Sequence, residues 1–134
     1  IDPSYFVEAE VLPSIILRDG EEAKVQIKIT KPSFIYLYGW FPDVDERNLY
    51  LISEGAKFHN KLIKNKETLF PAKVSFPKGS QKEYASEQLI IVASKQKMPF
   101  TSKMDQRRFF KMLGSTPRDS WELDMILYKI LRDE

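Results

Sequence analysis

Apolar and polar residues alternate along much of this chain, with the two-residue period of a half-buried β-strand. The clearest case is EAKVQIKIT, residues 22–30, in which every second residue is apolar and the others are charged or polar. An Asp-Gly turn signal precedes it at Asp19 and Gly20. The stretch YFVEAEVLPSIIL, residues 5–17, alternates more loosely, and Pro13 is expected to break or bend this first strand. This part of the chain predicts short strands separated by tight turns.

Two later stretches are apolar on both alternating faces. In FIYLYGWF, residues 34–41, aromatic and aliphatic residues occupy every position except a glycine, and EQLIIVAS, residues 87–94, holds a continuous apolar run. A strand that is apolar on both faces is normally central in its sheet and covered twice. The aromatic run therefore predicts core. If any ring of this run reaches solvent, we expect it to be Tyr38 or Trp40, close to the hairpin tip PDVDERN that leads into the return strand LYLIS. Gly39 predicts a bulge or a close backbone approach.

The pattern changes towards the C-terminus. TSKMDQRRFFKMLG has a Ser/Thr start, Asp105 three residues after Ser102, and Gly114 as a stop signal, which predicts a short helix near residues 102–113 with a variant of the capping box. Residues 119–131 fit both helical spacing and strand alternation. Spacing alone favours a helix there, and both alternatives stay open.

Together these elements predict a mainly β fold, an antiparallel two-layer β-sandwich of about seven or eight strands with one short helix. The length of 134 residues suits a single domain over residues 1–134. The chain begins IDPSYF, with neither methionine nor an apolar signal segment, so we expect the domain to have been excised from a larger protein.

Composition excludes several kinds of chemistry. The chain has no cysteine, which excludes thiol catalysis, disulfides and thiolate metal sites, and its single histidine, His59, excludes any site that needs two. The 21 Lys and Arg and 19 Asp and Glu are spread evenly, giving a net charge of +2, so no nucleic-acid partner is predicted. No apolar run is long enough for a transmembrane helix, so no membrane insertion is predicted either.

Candidate catalytic and metal-binding groups are weak. The carboxylates of Asp43, Asp45 and Glu46 invite a calcium interpretation, but the loop lacks the glycine and the distal glutamate of an EF-hand, and a solvated hairpin tip is favoured. Ser94 has no GxSxG elbow, and the next residue along a strand, Lys95, points to the opposite face. No phosphate-binding loop or dinucleotide fingerprint is present. We therefore predict no enzyme activity, no metal and no cofactor.

The order of these motifs resembles a bacterial domain-of-unknown-function family, designated 4384. The segments DGEEAKVQIKI, SFIYLYGW, LYLI and LFPAKVSF, followed by PKGSQKEYASEQLIIVASKQKMPF, are similar to the family pattern over about residues 14–100. The resemblance implies a compact β module attached to a larger bacterial protein, and a closing strand over residues 121–131. The hairpin tip is more charged than in the family, and LYLIS stands where LFPN is common. The family has no established catalytic residues, so none is carried over.

From these observations we expect a non-catalytic protein-binding or accessory module of a bacterial envelope or secreted multidomain protein, on the periplasmic side. The partner is a protein, another domain of the same chain included, and the expected contact residues are Tyr38, Trp40, Asp43 and Asp45. Two alternatives stay open. One is a carbohydrate-binding β-sandwich that uses Tyr36, Tyr38, Trp40 or Trp121 with loop carboxylates. The other is a hydrolase that uses Asp43, Asp45 or Glu46. The oligomeric state is also open.

Overall fold

A computed structural model describes residues 1–133, and over this range the chain forms nine β-strands, a single α-helix and one short 3-10 turn, Arg118–Ser120. The predicted mainly β fold is confirmed, with more strands than the seven or eight expected. The predicted domain runs to Glu134, which lies outside the described residues. In chain order the elements are β1 Val7–Leu12, β2 Ile16–Arg18, β3 Glu22–Ile29, β4 Phe34–Phe41, β5 Asp45–Leu51, β6 Glu67–Lys73, β7 Tyr84–Ser94, β8 Lys103–Asp105, α1 Gln106–Gly114 and β9 Trp121–Leu131.

The strands form two sheets. The small sheet has the order β1-β3-β6 and the large sheet the order β2-β9-β7-β4-β5-β8. All neighbours pair antiparallel except β2 and β9, which run parallel with Ile16 opposite Lys129. The predicted antiparallel sandwich is therefore confirmed, with one short parallel edge strand that the pattern did not predict.

Both faces of the large sheet are packed around its central strands β4 and β7. The inner core lies between the sheets, where Ile35 and Leu37 of β4 meet Val25 and Ile27 of β3. On the opposite, outer face, Tyr36 and Tyr38 belong to a second cluster, the outer core, whose other buried members are Leu49, Leu51, Ile90, Val92, Met98, Met104, Phe109 and Leu113. The helix α1 and the connecting segment 95–102 thus add a third layer to the two that the sequence predicted.

The aromatic run of β4 is mostly interior, as predicted. The hydroxyl of Tyr36 accepts a hydrogen bond from the Met98 backbone N–H at 2.9 Å, and that of Tyr38 donates to the Thr101 carbonyl at 2.6 Å. These bonds fasten the segment 95–102 over the sheet. Tyr38 is 0% exposed and Trp40 is partly exposed, so of the two candidate rings Trp40 is the one that reaches solvent. Its ring is covered by Phe100 and Phe109, with centroids at 5.6 and 5.1 Å.

The structure defines the two C-terminal elements, the short helix and the segment that the sequence left open. The helix begins at Gln106, not near residue 102, because Asp105 is its N-cap and accepts from the backbone N–H of Arg107 and Arg108. The preceding residues pair with β5 as β8, with Met104 opposite Leu49. Residues 121–131 form a strand, because β9 pairs with β7 along its whole length, from Trp121 opposite Ser94 to Leu131 opposite Tyr84. The strand alternative, which the family resemblance also implies, is the one observed.

Candidate functional site

The outer face of the large sheet is only partly covered. The outer core, with α1 and segment 95–102, covers the part built by β4, β5 and the adjoining length of β7. On β9, Met125 lies opposite Ile90 and Leu127 opposite Gln88, so both side chains share this outer face with the even-numbered residues of β7. They are 48% and 56% exposed. The β9 side of this face therefore presents apolar side chains to solvent.

The neighbouring strands extend this surface. On β2, Ile16 lies beside Lys129 and is exposed, and at the other end of β7 Tyr84 is also exposed. The Lys129 ammonium lies 4.5 Å from the centroid of the Tyr84 ring, a cation–π distance. Ile16, Tyr84, Met125 and Leu127 are termed the outer patch. Lys129 lies among these residues, so the outer patch carries positive charge.

Trp40 borders the outer patch. It lies opposite Gln88 on β7, and Gln88 lies opposite Leu127 on β9, so the three residues form one row across the sheet. The indole is partly exposed, packs on one side against the outer core, and donates from Nε1 to the Glu46 carbonyl at 3.1 Å. The sequence-predicted contact residue Trp40 is thus held in a fixed orientation at the edge of an exposed apolar surface.

Two of the three predicted loop carboxylates, Asp43 and Asp45, have partners within the chain. Asp43 forms an ion pair with Lys82, with 2.6 Å between Oδ1 and Nζ. Asp45 accepts from the Tyr50 hydroxyl at 2.5 Å and from the Asn48 amide at 3.0 Å. The hydrogen bond from Tyr50 is the main reason that the pKa of Asp45 lies well below its usual range, and the same bond raises the pKa of Tyr50. These contacts shape the β4–β5 hairpin tip and hold Asp45 in its anionic form.

Little supports the two alternative functions. Tyr36 and Tyr38 are buried, and the Trp121 ring is stacked against the Arg118 guanidinium at 4.1 Å, so these rings do not form an open platform for a sugar. Asp43 and Glu46 line one surface depression together with Lys82 and Glu83, but Asp45 does not. Asp43 is ion-paired with the Lys82 ammonium, so the three predicted carboxylates do not converge on one depression.

Other candidate groups are structural. Ser94 is buried and donates to the Gln96 carbonyl at 2.6 Å, and His59 Nε2 lies 3.1 Å from the Asn60 amide. Among residues 1–133, no group of three or more His, Asp or Glu side chains is placed to hold a metal ion. Within the same range, the chain has no helix long and apolar enough to cross a bilayer.

The sequence predicted contact residues at the β4–β5 hairpin and did not predict Met125 and Leu127 as exposed contact residues. A signal was present, because Trp121, Leu123, Met125 and Leu127 alternate as in a strand, but the helical alternative competed with it.

Compared with known proteins, the chain matches no family model, no curated protein and no solved structure. The resemblance to family 4384 stays a prediction that rests on the motifs quoted above.

Proposed function

We propose that this chain is a non-catalytic protein-binding module, an accessory domain of a bacterial envelope or secreted multidomain protein, that docks its partner on the outer patch and Trp40. The observation that carries the proposal is the exposure of Met125 and Leu127, side by side on the same face of an ordered strand. Contiguous apolar surface on a folded domain is typical of interaction sites. Met, Tyr and Trp are enriched at the centres of protein interfaces.

The geometry suits a flat protein surface as partner. The patch belongs to paired strands, so its backbone is already ordered and docking fixes few additional degrees of freedom. Trp40 brings a large ring whose polar Nε1 is already hydrogen-bonded, so burying the exposed part of the indole leaves no unpaired donor. Lys129 at the patch and Arg18 at the edge strand are exposed and cationic, which favours a partner surface with an acidic margin.

The envelope or secreted location and the bacterial origin are supported by the family resemblance alone. The absence of cysteine is compatible with compartments on either side of a membrane. Another domain of a longer chain would meet the same requirements as a separate partner, because interfaces between domains resemble transient protein–protein interfaces.

The test is a pull-down with purified domain from an envelope extract of the source cells, read by mass spectrometry. Wild type, Leu127→Asp and the control Leu69→Asp run in parallel. Leu69 is a matched control because it is exposed to a similar extent, 52% against 56%, but lies on β6 of the small sheet. Circular dichroism and a thermal melt establish that each variant is folded.

We expect a specific protein that wild type and Leu69→Asp retain and Leu127→Asp loses. The captured protein is then purified, and its affinity for the three variants is measured by titration calorimetry. A buried aspartate at the patch should weaken binding at least about tenfold, because an unpaired charge in an interface is poorly solvated. Equal affinity for Leu127→Asp and Leu69→Asp would show that the partner binds elsewhere and would refute the outer patch.

A further inference from the structure

The inner side of the large sheet contains a cavity of about 400 Å³, close to the end of the sandwich where the β4–β5 hairpin lies. Its volume is within the range of small-molecule sites, roughly 300–1,000 Å³. Most of the wall is aliphatic or aromatic, including Val25, Leu89, Val74 and Phe70. Val44, which is 69% exposed, lies at its mouth, so the cavity is open to solvent.

One carboxyl lies in this apolar wall. Glu87 of β7 is 6% exposed and lies opposite Tyr128 of β9, which is 5% exposed, and both line the cavity. The Tyr128 hydroxyl donates to Glu87 Oε1 at 2.8 Å. Over residues 1–133 the structure shows no other side-chain hydrogen bond and no ion pair to this carboxyl. A carboxylate can accept about four hydrogen bonds, so most of its capacity is unused.

The electrostatics around Glu87 favour a cation in the cavity. Burial raises the pKa of Glu87, and the Asp43 carboxylate raises it further, while the Tyr128 hydrogen bond acts in the opposite direction. The Lys82 ammonium is paired with Asp43 at 2.6 Å, and Lys73 lines the cavity without forming an ion pair with Glu87. Among residues 1–133, an ionised Glu87 therefore has no ion-pair partner, and a positively charged ligand would stabilise it.

We propose that this cavity binds a small apolar amine, whose ammonium group donates to Glu87 while its hydrocarbon body packs against Val25, Phe70 and Leu89. An anionic ligand would face the carboxylate of Glu87. A purely apolar ligand would leave the free oxygen of Glu87 desolvated without a donor. The cavity and the outer patch lie on opposite faces of the large sheet, so this site does not depend on the proposed protein-binding function.

The probes are three compounds of nearly the same shape with different head groups: 2-phenylethylamine, 2-phenylethanol and 3-phenylpropionate. An apolar cavity of roughly 150 Å³ can hold benzene, so a phenyl ring with a two-carbon chain suits the larger volume here. Binding is followed by ¹⁵N–¹H NMR titration of the folded domain. We expect the amine to bind with a dissociation constant of about 1 mM or tighter, about tenfold better than the alcohol, with the propionate weakest.

The matched variant is Glu87→Gln, which keeps the size of the side chain and an oxygen that can accept from Tyr128 while removing the charge. We expect it to bind amine and alcohol equally. A measurement on wild type makes the test independent of that variant's stability: the pH at which the ¹³C signal of the Glu87 carboxyl titrates should fall when the amine saturates the site. Equal binding of amine and alcohol to wild type, an unchanged Glu87 titration, or shifts that map to the outer patch would each overturn the proposal.

Discussion

Gly39 is the residue at which the central strand β4 is irregular. The pairing of β4 with β5 shifts register between Gly39 and Phe41, and the Phe41 ring lies directly over Gly39, where a Cβ atom would collide with it. The bulge or close approach that the isolated glycine predicted is therefore present, and the group that approaches is an aromatic ring from two residues along the same strand.

We expect Gly39→Ala to destabilise the domain by about 1–3 kcal/mol, because the new methyl group must displace the Phe41 ring in a packed region. Urea denaturation of both proteins measures the difference in the free energy of unfolding. Gly55→Ala is the control, since no atom lies within 4 Å of the position a Cβ would take there, and a change within about 0.5 kcal/mol is expected. Equal effects at the two glycines would contradict the steric explanation.

At the scale of single residues, the sequence could predict the direction of a side chain but not what covers it. The alternation correctly placed Tyr38 and Trp40 on one face of β4. Which of them reached solvent depended on segment 95–102, remote in sequence, whose Thr101 carbonyl accepts from the Tyr38 hydroxyl. The position of Trp40 at the edge of the outer core could be known only from the tertiary structure.

The last strand, β9, shows why the spacing of apolar residues can fit both a helix and a strand. In β9, Tyr128 and Ile130 point into the inner core, while Met125 and Leu127 lie on the outer face and stay exposed. A strand with apolar residues on both faces has no clean alternation, and its apolar positions then also satisfy helical spacing. The same exposed residues that form the candidate docking surface made this segment ambiguous in the sequence.

The helix α1 offers a test of local structure at the scale of an element. Asp105 Oδ1 accepts from the backbone N–H of Arg107 at 2.9 Å and of Arg108 at 3.4 Å. We expect Asp105→Ala to lower the free energy of unfolding by about 1 kcal/mol, because it leaves these N–H groups without a partner. Thermal or urea unfolding measures the loss.

Asp105→Asn separates the cap from the charge. Asparagine caps a helix about as well as aspartate, but it cannot form the ion pair with Arg47, whose side chain is 82% exposed. Exposed ion pairs contribute little, so we expect the asparagine variant to be close to wild type. A loss as large as that of the alanine variant would show that the charge, and not the cap, stabilises this helix.

At the scale of the whole molecule, one sheet separates two cores of different composition. The inner core lies between the two sheets and contains side chains from both. The outer core lies between the large sheet on one side and α1 with segment 95–102 on the other. Stability is rarely uniform across such layers. The outer layer is therefore expected to open without unfolding of the strands β4, β7 and β9 beneath it.

Native-state hydrogen exchange tests this expectation, with amides of α1 predicted to exchange at a lower free energy of opening than those of β7. Phe109 is 0% exposed, and its ring stacks against that of Phe100 with 5.1 Å between the centroids. We therefore expect Phe109→Ala to lower the free energy of opening of the α1 amides by about 3–5 kcal/mol. Phe110→Ala, at the adjacent and 41% exposed position, is the control and should change it by less than about 1 kcal/mol. If α1 and β7 lose protection equally in Phe109→Ala, the two cores unfold as one unit. The outer layer would then be part of the cooperative fold, and the uncovered half of the sheet beside it would be a fixed surface, set by the fold as a whole.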